Sequence, residues 1–563
     1  MSETVRPSGK FEYPSYDFVP PSELTGGKAG RHRVVIVGGG IAGLTAAADL
    51  GSRGIDCILL DDNNTVSAGS RSIGQAKRSL EIWDRIGCAD RMQAAGQAWS
   101  VGNILCGDEH LLSFDLSYEK KQKFPPFLTL PQYYVESFLV DRCRDFPGVE
   151  IRWLNRVKNA SQTGDLVTLE VETPDGDYSL ESEWVIAADG VRSNMREYLN
   201  LPFEGGSFED RFVIADVKVL FGFPPQRMFW FDPPFIDSPI FLLHQQREGI
   251  WRVDWQLGPD DDSESEIEPG NANRKLAQIL GKDVEFDIQN ISVYRFGARR
   301  IPKFRVGRVL FASDAAHQLS PFGGGRGGNS GVQDIDNLVW KLAMVLDGSA
   351  PDDFLESYDR ERIPVADENI ELSNSGAEFI TPTSRTSKAL RQAVLTLAPA
   401  AGFARAFINT GRMSITASLR NSPLVTPDRD KFAGKLAPGD APVEAPLHDA
   451  NGIETWFVQQ LTGHFTLMLY GDPAAEATQS DLTHLAKLGE DPIPVRTVPV
   501  APLTSIASGS GGFTDHTGQL AEIYDLAPGS CYLFRPDQHI VARWRRFDIE
   551  AVRQAIGRST GQV

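Results

Sequence analysis

The sequence predicts an α/β chain in which a parallel-sheet domain is interrupted by an antiparallel sheet and followed by a smaller α/β domain. Three observations carry this reading. A glycine-rich turn near residue 40 stands between a short apolar run and a helical stretch, aromatic-rich segments with strand patterning fill the middle of the chain, and a run of prolines sets apart a last group of strand-like segments. With 563 residues, 41% apolar and 23% charged, the chain has material for several packed domains rather than one core.

Residues 1–30 are rich in Pro, Ser, Gly and Tyr and lack sustained periodicity. They are expected to form an extended leader, either mobile or laid against the body through Phe11, Tyr13, Tyr16 and Phe18. A βαβ unit then begins: 34–37 is an apolar run, 44–53 has helical composition, Gly54 stops it, and 55–60 is again strand-like. Strand patterning recurs at 166–171 and 184–188. The segments 212–219, 238–244 and 250–257 read as antiparallel strands suited to covering a substrate. After an acidic loop at 260–269, the apolar run 309–312 returns the chain to a buried strand, and a helix is expected over 332–346. A helical stretch is expected over 377–420, after which Pro423, Pro427, Pro438, Pro442 and Pro446 punctuate a linker. Segments 465–470, 493–500, 531–535 and 540–544 read as strands. The implied division is a leader (1–30), a nucleotide domain in two parts (31–205 and 297–375) around an inserted sheet (206–296), a helical segment and linker (376–437), and a last domain (438–563).

Lys and Arg number 56 against 75 Asp and Glu, a net charge of −19, and the basic residues are scattered. Nucleic acid and anionic membranes are therefore poor partners. No stretch has the eighteen or so uninterrupted apolar residues of a membrane helix, and no basic-then-apolar secretion signal opens the chain, so the expected location is the cytoplasm. The five cysteines, Cys57, Cys88, Cys106, Cys143 and Cys531, are widely spaced with no C-x-x-C. Small buried thiols are expected, without disulfides, a metal site or a dithiol redox centre.

Three blocks carry chemistry. Gly38-Gly39-Gly40-Ile41-Ala42-Gly43 fits G-x-G-x-x-G directly after a strand and at the mouth of a helix, where glycines let the backbone approach a pyrophosphate and unpaired amides hold it. Asp61, ending the second strand, can accept both hydroxyls of an adenosine ribose. The second block runs from Trp184 through Asp189-Gly190-Val191-Arg192-Ser193 to Arg196; a buried strand delivering Asp-Gly and arginines can hold a dinucleotide's phosphates and ribose. The third is Arg308 to His317 with Ser313-Asp314, then Pro321-Phe322-Gly323-Gly324-Gly325-Arg326-Gly327-Gly328-Asn329, with five glycines in six positions before an apolar helix.

In this order and spacing the blocks resemble the class A flavoprotein aromatic hydroxylases, in particular the phenol and 3-(3-hydroxyphenyl)propionate hydroxylase branch. The resemblance covers about 31–424. It implies a Rossmann-like FAD-binding domain with an inserted antiparallel-sheet substrate domain, a helical linker and, past Pro438, a thioredoxin-like domain that lacks C-x-x-C and serves as a packing or homodimerisation module. It implies that Gly38, Gly40, Ala42, Gly43 and Asp61 hold the ADP half of FAD, that Asp189 serves FAD and the nicotinamide pyrophosphate, and that Asp314 holds the ribityl chain. Arg71 and Gln132 are implied as flavin contacts, and Gly327, Gly328 and Asn329 place amides and a helix dipole at the flavin's pyrimidine edge. Pro321 matches the position whose carbonyl faces the substrate hydroxyl. One departure is Ser313, where the family carries glycine, which puts the local backbone geometry in question. The implied activity is a monooxygenase: NAD(P)H reduces FAD, O2 adds to give a flavin hydroperoxide, and one oxygen passes to the ring of a small phenolic or related aromatic substrate.

The activating group is left open among Gln75, Tyr118, His244, Asp254, Tyr294 and Arg299. For His244 two roles stand, a satisfied core or rim histidine and a catalytic base. His317 reads as a structural hydrogen-bonding residue. Met228, Phe229, Trp230, Phe231, Trp251 and Trp255 are either an aromatic pocket wall or plain core. Alternative functions are another flavin-dependent reaction on the same fold, such as halogenation or reduction, or a non-catalytic FAD-holding protein.

Overall fold

The computed structural model describes residues 11–26, 30–69, 72–117, 120–219, 226–281, 283–320, 325–382, 384–408, 416–471, 485–502 and 512–562. Its first sheet is centred on the strand Gly30–Val37, paired in parallel with Gly176–Ala187 on one side and Cys57–Leu60 on the other. Val149–Arg152 and Val309–Phe311 extend the parallel order outward. Val34, Val35, Ile36 and Leu59 are fully buried, as a parallel sheet covered on both faces requires. The first helix begins at Ile41, three residues before the expected 44, because the glycine turn leads straight into it. It packs against the helices Gln132–Arg144 and Arg326–Leu346.

The second sheet has eight strands in the order His317–Gln318, Phe286–Arg300, Glu204–Val219, Ile250–Gln256, Ile240–Gln245, Arg227–Phe231, Val101–Cys106, Glu109–Asp115. The last two come from well upstream of 206, and His317–Gln318 follows the return of the chain to the first sheet, so the sheet is assembled from three stretches of chain. Its two faces follow the period of two. Val213, Ala215, Val217, Trp251, Val253 and Trp255 pack with Leu276 and Leu280 of the helix Pro269–Leu280. Phe229 and Phe231 pack with Val394 and Leu395. Of the two roles left open for these aromatics, the structure gives them that of core.

The helical stretch expected over 377–420 is instead three helices, Glu356–Ile380, Arg385–Leu397 and Gly402–Ile408. Pro382 and Pro399 explain the breaks, since each removes a backbone donor and disfavours helical geometry in the residue before it. The leader's described part lies on the body: Tyr16 stacks on Trp153 with ring centroids 4.4 Å apart, Phe11 meets Tyr133 and Tyr134, and buried Glu23 pairs with His32 at 2.7 Å and Arg152 at 3.2 Å.

The C-terminal region forms a seven-stranded mixed sheet. Phe465–Tyr470 and Val495–Pro502 run parallel at its centre, and Cys531–Phe534 and Ile540–Trp544 close one side antiparallel. It meets the rest of the chain through a buried ionic junction. Arg535 bonds Glu361 at 2.6 Å and Asp537 at 2.6 Å, and Lys341 reaches Glu361 at 2.7 Å. Arg78 and Arg85 share Asp336 at 2.9 and 2.6 Å, and Arg78 also donates to Gln538 at 2.7 Å.

Candidate active site

The turn after Gly30–Val37 leaves no room for side chains at Gly38 and Gly39. Gly38 has φ +106°, and a Cβ on it would stand 2.5 Å from the Ala188 carbonyl oxygen; one on Gly43 would stand 1.9 Å from the Gly38 oxygen. Backbone therefore lies bare where the helix Ile41–Ser52 opens, with its first amides free of intrahelical partners. Asp61 accepts from the Gly39 amide at 2.5 Å and the Asn63 amide at 2.8 Å, and burial raises its carboxyl above the ordinary range. Beneath the turn, Glu136 accepts from the Ser67 amide and hydroxyl at 2.7 and 2.9 Å and from Gln132 Nε2 at 2.7 Å, and burial pushes it up to about 7.

The second and third blocks meet in the middle of the site. Asp189 accepts from the Met195 amide at 3.0 Å, and burial raises its carboxyl. Arg196 does not reach outward to a phosphate as expected: its guanidinium donates to the carbonyls of Ala315 at 3.0 Å and Asp314 at 3.2 Å and lies over the Phe203 ring. It clamps one block to the other. Ser313, at the family's glycine position, has φ +56°, in the left-handed region that glycine favours. The serine thus keeps the glycine's geometry, and its amide donates to Asp334 at 3.1 Å. Asp334 also takes His317 Nε2 and Arg362 Nε, each at 2.7 Å, so His317 is structural.

A cavity of about 910 Å³ runs past the glycine turn, Asp61, Asp189 and the Ser313-Asp314 pair. Gly38, Gly40, Ala42, Asp61, Gln132, Asp189, Asp314, Gly327 and Gly328 line it, and so do His244, Asp254 and Tyr294 of the second sheet. Gly43 and Asn329 do not line it. Gly43 packs against Gly38, and Asn329 spends its side chain inside the protein, accepting from the Ala76 amide at 2.9 Å and Ser79 at 2.7 Å while donating to Gly74 at 2.8 Å and Gly325 at 2.7 Å. Gln75 is buried and donates to the Leu130 carbonyl, and Arg299 bonds Gln318. Arg71, Tyr118 and Pro321 lie outside the described residues.

The cavity's far wall is the second face of the antiparallel sheet: Phe212 and Ile214, Leu242 and His244, Arg252 and Asp254, Tyr294 and Phe296 alternate onto it. Arg252 is committed to Asp216 through bonds of 3.0 and 2.9 Å. Burial, with Arg227 and Arg252 adding repulsion, holds His244 well below the usual imidazole range. As a base it would have to become a cation beside two guanidiniums, so the base reading of His244 is corrected. Sequence reasoning missed Glu136 and the Arg252–Asp216 pair; the acid four residues after Gln132 was a signal for the first, whereas the second needs cross-strand register. Outside this cavity, His448, Glu454 and His516 come close enough to share a cation, but the Lys121 ammonium bonds both Glu454 oxygens at 2.7 and 2.6 Å.

Residues 31–373 match the model of a family described as an FAD binding domain. This chain belongs to that family. Its relatives within the flavin-dependent monooxygenases include a flavin-dependent monooxygenase of Mycobacteroides abscessus, 32% identical over 78% of this chain and 89% of the relative. A 3-(3-hydroxy-phenyl)propionate/3-hydroxycinnamic acid hydroxylase of Mycolicibacterium gilvum is 32% identical over 65% of this chain, a match spanning 63% of that relative's length. In fold, the chain is similar to the flavin-dependent monooxygenase PieE, solved with FAD and substrate, at a TM-score of 0.80 and 22% identity over 95% of this chain and 99% of that one. The residues present fit FAD: the side-chain-free turn, the helix mouth, the acid ending the second strand and a single long cavity suit a dinucleotide joined to a ring system. Among the described residues no helix is long and apolar enough to cross a membrane.

Proposed function

We propose that the protein hydroxylates a phenolic or related aromatic substrate, with FAD along the cavity, NAD(P)H as reductant and O2 as the oxygen source. The observation that carries this reading is one cavity joining the glycine cradle to a polar sheet face. When bound and reduced, FAD supplies the activation of oxygen. Gly38, Gly40 and Ala42 present backbone to the pyrophosphate, Asp61 accepts the adenosine ribose hydroxyls, and Asp314 accepts from the ribityl chain. Gly327 and Gly328, in the first turn of Arg326–Leu346, offer amides and the positive end of the helix to charge on the ring system. Gln132 contacts the flavin and Asp189 serves FAD and the nicotinamide pyrophosphate; the roles that the resemblance implies for Arg71 and Pro321 fall outside the described residues. Asn329 acts through Gly325, whose carbonyl its side chain holds. The sheet face seats the aromatic substrate and keeps water out. Cytoplasmic placement fits the free thiols, four of them buried.

The purified protein is expected to be yellow, with about one FAD per chain. A panel of phenols should stimulate NAD(P)H oxidation and give products heavier by one oxygen atom. A colourless protein, or oxidation that no phenol stimulates, contradicts the proposal.

A further inference from the structure

Asp254 lies on the strand Ile250–Gln256 between two neighbours, opposite Ile214 on one and Leu242 on the other, in the middle of the sheet face that walls the cavity. Its Oδ1 is buried and has no hydrogen-bond partner among the described residues. Two residues along the same strand, Arg252 is already bound to Asp216. The other titratable or charged groups facing this patch are Arg227 from Arg227–Phe231, His244 from Ile240–Gln245, Asp216 from Glu204–Val219, Tyr294 from Phe286–Arg300 and Tyr133 from the helix Gln132–Arg144. A buried carboxylate oxygen without a donor is disfavoured unless something supplies one, and Asp254 is among the residues that line the cavity.

We propose that Asp254 accepts the proton of the substrate's ring hydroxyl, an inference that rests on the phenol-hydroxylating reading above. The hydroxyl O–H bond breaks, its electron pair stays on oxygen as phenolate, and a new O–H bond forms on the Asp254 carboxylate. No electrons leave or enter, and the charge of the face is unchanged, since one anion replaces another beside Arg227 and Arg252. The phenolate oxygen feeds electron density into the ring carbon that receives oxygen, and the proton returns to solvent after product leaves. Burial, opposed by Arg252 and reinforced by Asp216, pushes the Asp254 carboxyl up to about 7, where transfer from a phenol is better matched than to an ordinary carboxylate. The neighbouring His244 imidazole, repelled by the same arginines, is the weaker acceptor.

The test uses the holoenzyme, its Asp254→Asn and Asp254→Glu variants, and 4-nitrophenol, whose neutral and ionised forms absorb at different wavelengths. Below the probe's own solution pKa, wild type is expected to bind it ionised and Asp254→Asn to bind it neutral. With a turned-over phenol, kcat/KM of Asp254→Asn should fall roughly 100-fold or more. The wild-type rise of kcat/KM with pH through about 7, as the carboxylate forms, should be absent from Asp254→Asn and displaced in Asp254→Glu. An Asp254→Asn enzyme of normal flavin content that still ionises the probe and keeps the pH limb overturns the inference alone. If it fails to fold, an Asp254→Glu profile identical to wild type overturns it equally. Wild type that neither binds nor turns over any phenol overturns the phenol reading and this inference together.

Discussion

Two regions of this molecule take carboxylates out of water and treat them in opposite ways. At the junction with the C-terminal region, burial would push Glu361 and Asp537 upward, but Arg535, with Lys341 on Glu361 and His539 on Asp537, overcomes it and holds both below the usual carboxylate range. At the cavity, burial wins: Asp254 rises to about 7, and Asp61 and Asp189 are raised. The difference is saturation. Each junction carboxylate has bonded cations on it, whereas the cavity carboxylates face amides, hydroxyls or open space, which is what a ligand with its own donors requires. Buried charge is therefore structural where paired inside the protein and functional where left for something else to pair.

The largest expected effect breaks the junction. Arg535→Met leaves Glu361 and Asp537 without their shared guanidinium and should destabilise by about 3–5 kcal/mol, read from the denaturant midpoint. The same region sets acid sensitivity. Because the folded Glu361 carboxyl lies below its unfolded value, its contribution is full above the ordinary carboxylate range and is lost as pH falls through and below it; each tenfold difference in proton affinity between the unfolded and folded chain is worth about 1.4 kcal/mol. Glu361→Gln should lower stability near neutrality and flatten the acid limb of the stability profile, whereas an unchanged limb would move acid sensitivity elsewhere. In the cavity, Asp314→Ala should weaken FAD retention by about ten- to a hundredfold, measured by flavin release on dilution, and leave the denaturant midpoint of the apoprotein nearly unchanged. Ser313→Val puts a β-branched residue at φ +56° and should cost about 1–2 kcal/mol. The smallest effect is expected at Cys531, buried with its thiol pushed up to about 12: Cys531→Ser should leave flavin reduction and turnover per folded molecule unaltered.

What could be read in the sequence was local. The strand, glycine turn, helix and acid of 34–61 lie in one continuous stretch, so composition and spacing were enough to bring Gly38, Gly40 and Asp61 together at one end of the fold, where they line the cavity. The sheet face could not be read that way. Arg227, His244, Arg252 and Asp254 come from three strands, and a shift of one residue in any register would turn a side chain to the core. Period-two alternation was visible, but which face meets the cavity depends on the helix Pro269–Leu280 covering the other one. The upstream strands Val101–Cys106 and Glu109–Asp115 join the sheet only through non-local pairing. At the junction, Arg535 and Asp537 are neighbours in sequence, yet their partner Glu361 lies in a distant helix. The breaks at Pro382 and Pro399 were legible and were outweighed by the helical composition around them.

The most direct test is turnover under 18O2 with a phenol that stimulates NAD(P)H oxidation, followed by mass analysis of the product. One 18O atom in each product molecule, with NAD(P)H consumed in step, is the predicted result. A product whose new oxygen comes from water, or NAD(P)H oxidation yielding only hydrogen peroxide with every phenol tried, would contradict the account.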